Sequence, residues 1–567
     1  MPIRKKKTIK PLYHKTHKMK KIYTLLFILL TNYGFSQMQF SSVKSFNSSA
    51  TQLLSTQIVT DNQGNCYVSG TFSGTQTFDT VSIVAKGSTD AYLAKFNATG
   101  NCLWVRTYGF SISQTQGTAV GIDAAGNIIL AGNYTNYFNI DTSYIVALGQ
   151  TDLFMVKLDA QGNLIKFITA GGTAADVIND LTTDPQGRFY ITGSFAFKCY
   201  FGNDSIQTTN LNSFSDIFLT AYDANMNTLW AKRAGGSSDN DYAKSVKYNN
   251  NRVLLCGVIT GANCTFGTNS VNSYGQSDAF LAKYDLSGNN VWVKRAGSTG
   301  NDYCNALSTD SFGNAYIAGT FILNATFGAA PNSFSINAGN AEDIFIAKYD
   351  SMGVCNYAKR AGAAAPNSDG AIGIETDSYG YTVITGYYAG NASFTTTNLT
   401  SSGLDDGFVA KYDPIGTCQY ALKAGGSGFD RGMSVSLSTF NNLYYVVGTY
   451  TGTATFSGGI SLTSTGPNSN FIATIPGFYA GLNELQIQTA NNLVYPNPAN
   501  DVLKLNADYE QKAQQLEVFD LLGNRIFFTN HVNENFEIKT NTWANGVYTV
   551  KVLQSNVINV MKVIIAH

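Results

Sequence analysis

Between residues 55 and 476 the apolar residues alternate with polar ones in short runs, broken by Gly-Asn turns. A period of two, enriched in Val and aromatics, predicts strands of roughly 5–9 residues and no helices. The runs recur as a block of about 62 residues, seven times over. In the fourth copy the predicted strands are 244–248, 252–259, 278–285 and 291–296. One anchor of the repeat is a glycine (Gly70, Gly132, Gly193, Gly257, Gly319, Gly386, Gly448). The other is an aspartate opening an apolar run (Asp90, Asp152, Asp216, Asp278, Asp343, Asp406), replaced by Asn470 in the last copy.

Seven four-stranded units without helices predict an all-β protein led by a seven-bladed β-propeller, whose ring protects its strand edges. The seventh copy stops near residue 475, one strand short. Residues 38–47 supply a candidate for that strand, with Phe40 in the aromatic slot of Trp104, Tyr357 and Tyr420. The expectation is that the N-terminal strand closes the last blade. Asp-x-x-Gly-Asn stretches such as 61–65, 123–127 and 310–314 suit tight hairpins in which glycine takes positive φ. Calcium is a possible but unsupported ligand there, because too few carboxylates share one loop.

Three segments, D-A-Y-L-A-K-F at 90–96, W-V-R-T-Y-G at 104–109 and G-N-A-Y-I-A-G at 313–319, resemble the bacterial beta-propeller repeat family often called SBBP. The departures are Ala221 where most copies have Lys, and Asn250-Asn251-Arg252 where others have Gly-Asn. The resemblance implies a fold and no single activity.

The ends of the chain do not repeat. Residues 1–37 hold nine Lys or Arg and no acid. A basic Met19-Lys20-Lys21, an apolar run 23–31, and small residues before a cleavage point between Ser36 and Gln37 read as a leader and signal peptide, with Met19 the expected true start. The run is too short to span a bilayer, and no other segment is long and apolar enough to cross one. Without those nine bases, 28 basic residues face 37 acidic ones, a formal charge of −9. An acidic surface repels phosphate backbones, so nucleic acid is not an expected partner.

After Pro476 the period ends. Residues 477–492 read as a linker, and 493–567 as short strands at 502–505, 516–519, 525–528, 535–539, 547–552 and 557–565, a small β-sandwich. Four pieces stand in order: Y-P-N-P-A from Tyr495, Pro496, Asn497 and Pro498; V-F-D-L-L-G ending at Gly523; N-G-V-Y-T-V-K-V containing Gly546 and Tyr548; and V-M-K-V-I-I containing Lys562. Together they resemble the type A sorting domain of the type IX secretion system of Bacteroidota. That resemblance implies Sec export, passage through the type IX translocon, and removal of the domain by its sorting-domain peptidase. The mature protein would be secreted or held on the outer cell surface.

Histidine is absent from 38–476, which removes His-based nucleophilic and zinc or copper sites there. No metal site, cofactor motif or catalytic residue is assigned. Of eight cysteines, Cys102, Cys355 and Cys418 occupy the same position in different repeats and should lie far apart, which argues against a disulfide framework and for small buried residues; a local pair such as Cys256–Cys264 is left open. Asp176, Asp241, Asp302, Asp369 and Asp430 fall between the last strand of one copy and the first of the next. They are candidates for ligand binding at the mouth of the ring, for paired-carboxylate hydrolysis of a polysaccharide, or for backbone hydrogen bonds at a repeated turn. The long loops between second and third strands, such as 73–89, 135–151, 196–215 and 322–342, are the least repeated stretches and the expected recognition loops. Tyr137, Phe138 and Tyr200 there could stack on sugars, whereas Phe201 reads as core. The leading expectation is a non-catalytic binding or adhesion scaffold for a glycan or surface protein. The alternative is an extracellular polysaccharide-degrading enzyme.

Overall fold

The computed structural model describes residues 38–48, 53–209, 214–236, 240–363, 367–477, 486–489, 493–506, 515–520, 525–529, 532, 536–554 and 557–567. The leader, Met19, Ser36, Gln37 and Gly523 lie outside the described residues. The chain divides into a unit spanning Met38–Phe478 and a second one that takes in Tyr479–His567.

Among the described residues the larger unit is all strand and turn, built from seven antiparallel four-strand sheets in chain order. The fourth sheet runs Tyr242–Asn249, Arg252–Thr260, Ser277–Tyr284, Asn290–Gly297, each strand pairing with the next. In the seventh, Arg431–Ser438, Leu443–Tyr450 and Ser469–Pro476 come from the C-terminal end, and the fourth strand is Ser42–Ser48. Its register runs from Ser42 opposite Thr474 to Phe46 opposite Asn470. Extended one place, that register sets Ser41 in the aromatic slot. Phe40 therefore falls in the slot of Cys102, Cys355 and Cys418, buried with its ring 5.3 Å from that of Phe456. The fourth strand carries a bulge at this level in the other sheets, which shifts the count by one.

The anchor glycines follow from a second bulge. Each first strand bulges at the same place, so that its carbonyl oxygen crowds the second strand. A Cβ on Gly257 would lie 2.2 Å from Tyr242 O, one on Gly319 1.9 Å from Tyr303 O, and one on Gly386 1.9 Å from Gly370 O. No side chain fits, which is why the position is glycine in every copy.

The repeated third-strand lysines tie each sheet to the next. Lys95 Nζ donates to Ala160 O at 2.9 Å, Lys157 to Ala224 O at 2.9 Å, and Lys283 to Ser351 O at 2.7 Å. Ala221 cannot do this. Its cross-strand partner Trp230 donates its indole N–H instead to Leu286 O, at 3.0 Å, the equivalent carbonyl of the next turn.

The stretches expected as recognition loops fold into two-stranded hairpins. Six of them extend the fourth strand of the preceding sheet by a short ladder, such as Gly171–Tyr200, Ala296–Phe327 and Ala424–Phe456. Their inward Phe78, Phe201, Phe266, Phe327, Phe394 and Phe456 are buried core. All eight cysteines are free thiols, so Cys256 and Cys264 form no disulfide. The Cys264 thiol donates to Thr260 O at 3.2 Å.

The second unit holds a five-strand sheet, ordered Gln486–Thr489, Val557–Ile565, Gly546–Gln554, Gln515–Phe519, Arg525–Thr529, and a three-strand sheet of Val494–Tyr495, Val502–Leu505 and Glu537–Lys539. Gln486–Thr489 falls within the expected linker and pairs parallel to the last strand. Leu503, Leu505 and Ile538 from one sheet and Leu516, Val518, Val550, Val552 and Val563 from the other share a single core. Among the described residues no helix is long and apolar enough to cross a membrane.

Candidate ligand-binding site

The five connecting aspartates are buried, each less than 2% exposed. Four of them spend both carboxylate oxygens on backbone amides. Asp241 accepts from Gly236 N at 2.6 Å and Thr260 N at 2.7 Å; Asp302 from Ser298 N and Ile322 N; Asp369 from Ala363 N and Ala389 N; Asp430 from Gly426 N and Thr451 N. Each carboxylate therefore ties the end of the preceding sheet's fourth strand to the end of its own sheet's second strand, and no two of the five are brought together as a reacting pair. Burial pushes Asp241, Asp302 and Asp430 up to about 6. Asp176 differs: neither of its oxygens has a hydrogen-bond partner of good geometry, and burial followed by the neighbouring Asp152 pushes it up to about 8.

The anchoring aspartates at the start of the third strands are also structural. Asp216, Asp278, Asp343 and Asp406 pair with Arg233, Arg295, Arg360 and Lys423 across the sheet. Opposite Phe154, in the equivalent position, stands Thr169, so Asp152 has no such cation. That missing cation explains why Asp152 and Asp176 burden each other.

A cavity of about 470 Å³ is lined by the first strands of all seven sheets. Ile58 N donates to Ser434 Oγ and Thr60 meets Ser436, so the first and seventh sheets adjoin along it. None of the five connecting aspartates lines it. Its wall carries Gln57, Asp180, Lys244, Lys247 and Glu375. Asp180 accepts from Gln57 Nε2 at 2.8 Å, Ser245 Oγ at 2.7 Å and the backbone of Leu181 and Val246, with Lys247 Nζ at 3.9 Å. Burial pushes the Glu375 carboxyl up to about 7, with Lys247 pulling the other way.

The second feature is the hairpin Tyr137–Ile140/Ser143–Val146, which among the described strands stands as a two-stranded sheet of its own. Phe138, Ile140 and Ile145 face inward. The outward register pairs Tyr137 with Val146 and Asn139 with Tyr144. Tyr144 is 65% exposed, and Val146, Leu148 and Ile112 are similarly open. Phe110 leans on both tyrosines, 5.3 Å from the Tyr137 ring and 6.0 Å from that of Tyr144. The matching outward positions in the fifth, sixth and seventh sheets' hairpins are only Ser, Thr and Asn (Asn324, Thr326, Asn391, Ser393, Thr453, Thr455). In the third, Tyr200 is exposed, with Lys198 Nζ 4.8 Å from the centre of its ring. Of the residues expected to meet a sugar, Tyr137 and Tyr200 reach the surface and Phe138 does not. Sequence reasoning missed Phe110 and Tyr144. Their signal was an aromatic ring where the other copies carry Ser or Asn, for Tyr144, and where most carry Gly or Ala, for Phe110.

In the second unit, the Y-P-N-P-A segment clamps the last strand. Asn497 Nδ2 donates to Lys562 O at 3.0 Å, and its Oδ1 accepts from Ile564 N at 2.9 Å. Ala499 continues with a bond to Ile564 O. Tyr548 OH reaches Ala544 O at 2.8 Å. Tyr495 and Lys562 are exposed, and nothing crowds Gly546. Residues 493–566 match the secretion system C-terminal sorting domain family. The chain carries a type IX sorting domain. This sorting domain directs export through the type IX secretion system to the cell surface or the extracellular space. Residues 291–320 match the beta-propeller repeat family. An uncharacterized WD repeat-containing protein of Acanthamoeba polyphaga mimivirus is 22% identical over 449 residues, covering 65% of this chain. The chain spans only 32% of that relative's length. Among solved structures, a chain of the mitotic checkpoint complex is 10% identical with a TM-score of 0.38, covering 83% of this chain and 97% of its own. A Lactobacillus plantarum protein is 13% identical with a TM-score of 0.35, covering 71% and 98%. At these TM-scores neither likeness bears on what the chain does.

Proposed function

We propose that this is a secreted or surface-held binding protein without catalysis of its own: a seven-bladed propeller with the N-terminal strand closing its last blade, followed by a sorting domain folded as a β-sandwich. Seven equivalent sheets, the pairing of Ser42–Ser48 with Ser469–Pro476, and one cavity touched by every first strand support the ring. The ligand is a glycan, met at Phe110, Tyr137 and Tyr144.

One observation carries this reading. The outward face of the second hairpin replaces the Ser, Thr and Asn of the fifth, sixth and seventh sheets' hairpins with aromatic rings held at an angle to one another. Exposed Tyr144 and half-buried Phe110 and Tyr137, with the neutral polar Asn139 and Ser143 on the same hairpin, offer an apolar face to sugar C–H groups and hydrogen bonds to their hydroxyls. A screen of the full-length protein on a glycan array should give saturable binding to at least one neutral polysaccharide, lost in Tyr144→Ala. Release of reducing sugar from the bound polysaccharide would replace this reading with the polysaccharide-degrading one. Saturable binding to a surface protein and to no glycan would replace the ligand.

A further inference from the structure

At the bulge of each first strand, one side chain faces the central cavity. In three sheets it is neutral and ties itself to the next sheet's backbone: Thr56 Oγ1 to Gly117 O at 2.8 Å, Asn179 Nδ2 to Ala243 O at 2.7 Å, and Asn305 Nδ2 to Ala371 O at 2.9 Å. The sheet between Asn179 and Asn305 carries Lys244 at this place. A lysine there cannot be read as another tether. Among the described residues it makes no ion pair and no hydrogen bond, and its Nζ lies 5.1 Å from the centre of the Tyr242 ring. The cavity's other lysine is already committed, Lys247 lying against an Asp180 whose oxygens are filled by Gln57, Ser245 and two backbone amides.

A half-buried ammonium without a counterion is costly, and its burial lowers its pKa. On either side of it, Asn179 and Asn305 each use one amide hydrogen on the protein and keep the second. The space in front of them, about 470 Å³, lies within the range of small-molecule sites. We infer that the bulge level of the central cavity binds a small oxyanion, with Lys244 Nζ as its counterion and the free amide hydrogens of Asn179 and Asn305 as its donors. The chemistry is shared by a free phosphate and by the carboxylate of an acidic sugar. The site stands apart from the aromatic hairpin, so failure of glycan binding there leaves it intact.

The test is calorimetric titration of the full-length protein with inorganic phosphate and, separately, with glucuronate. At least one should bind with one-to-one stoichiometry. Lys244→Met should weaken that binding at least tenfold, and Lys244→Arg should restore most of it. Phosphate binding alone identifies a free-anion site; glucuronate binding identifies an acidic-sugar site. Lys244→Gln, which keeps the side chain's polarity, serves equally if the Met variant is poorly folded. Absence of binding for both anions at millimolar concentration overturns the proposal, as does binding that survives the loss of the Lys244 charge.

Discussion

Thr169 stands where later copies place Arg233, Arg295, Arg360 or Lys423, and its neighbours register the change. Asp152 and Asp176 share a buried space with no cation, and Asp176 is held protonated up to about pH 8. The folded state therefore keeps a proton that the unfolded state has released above the ordinary value of 3.8. That contribution to stability is complete below 3.8 and is lost as pH rises through about 8. Thermal melts should show the wild type losing stability between these limits faster than Asp176→Asn; parallel curves would contradict the assignment. A second residue-scale prediction concerns the tether that replaces a missing lysine. Trp230→Phe should cost about 1 kcal/mol in denaturant melts, the worth of one hydrogen bond. Trp292→Phe, whose indole N–H is buried without a partner, should cost less. Equal losses would deny Trp230 its role. The sequence displayed Ala221 as a departure from the repeat, but its compensation was invisible. Trp occupies that slot in other copies too, and only the missing lysine frees the carbonyl of Leu286 for it.

At the scale of elements, repetition made the strands legible and hid the hairpins. Alternation and the glycine anchors locate all four strands of each sheet, because the bulge that excludes a side chain at Gly257 or Gly319 recurs in every copy. The stretches between second and third strands vary in length and sequence, so they read as loops. Their buried Phe residues were visible as core, while the short ladders to the preceding sheet depend on neighbours some 30 residues away, such as Arg233 beside Thr265. The closing strand was visible from the seventh copy's deficit, although the bulge displaced Phe40 by one slot. Burial of Phe40 and Phe46 is worth about 1.5–3 kcal/mol each, before the ladder to Ser469–Pro476 is counted. Removing residues 38–48 should therefore lower the melting temperature sharply. An unchanged melt would mean that the last sheet closes without them.

For the whole molecule, the sequence separated route from role. The sorting domain is legible because four motif pieces stand in order, and the structure shows why Asn497 is among them: its amide holds one edge of the final strand by a carbonyl and an N–H two residues apart. The role was less legible, since the recurring aspartates look like a ring of acids until their amide partners are seen. What remains after the scaffold is accounted for is the hairpin that departs from its copies. The seventh hairpin shows that hydroxyls are tolerated at those positions, with Thr453 meeting Thr463 and Thr455 meeting Ser461 across the strands. The most direct measurement is thus glycan binding by a variant that restores the repeat's chemistry: Phe110→Gly, Tyr137→Thr, Tyr144→Ser and Val146→Thr together. The account predicts secretion and a cooperative melt like the wild type's, with glycan affinity reduced at least tenfold. Undiminished binding in that variant would contradict it.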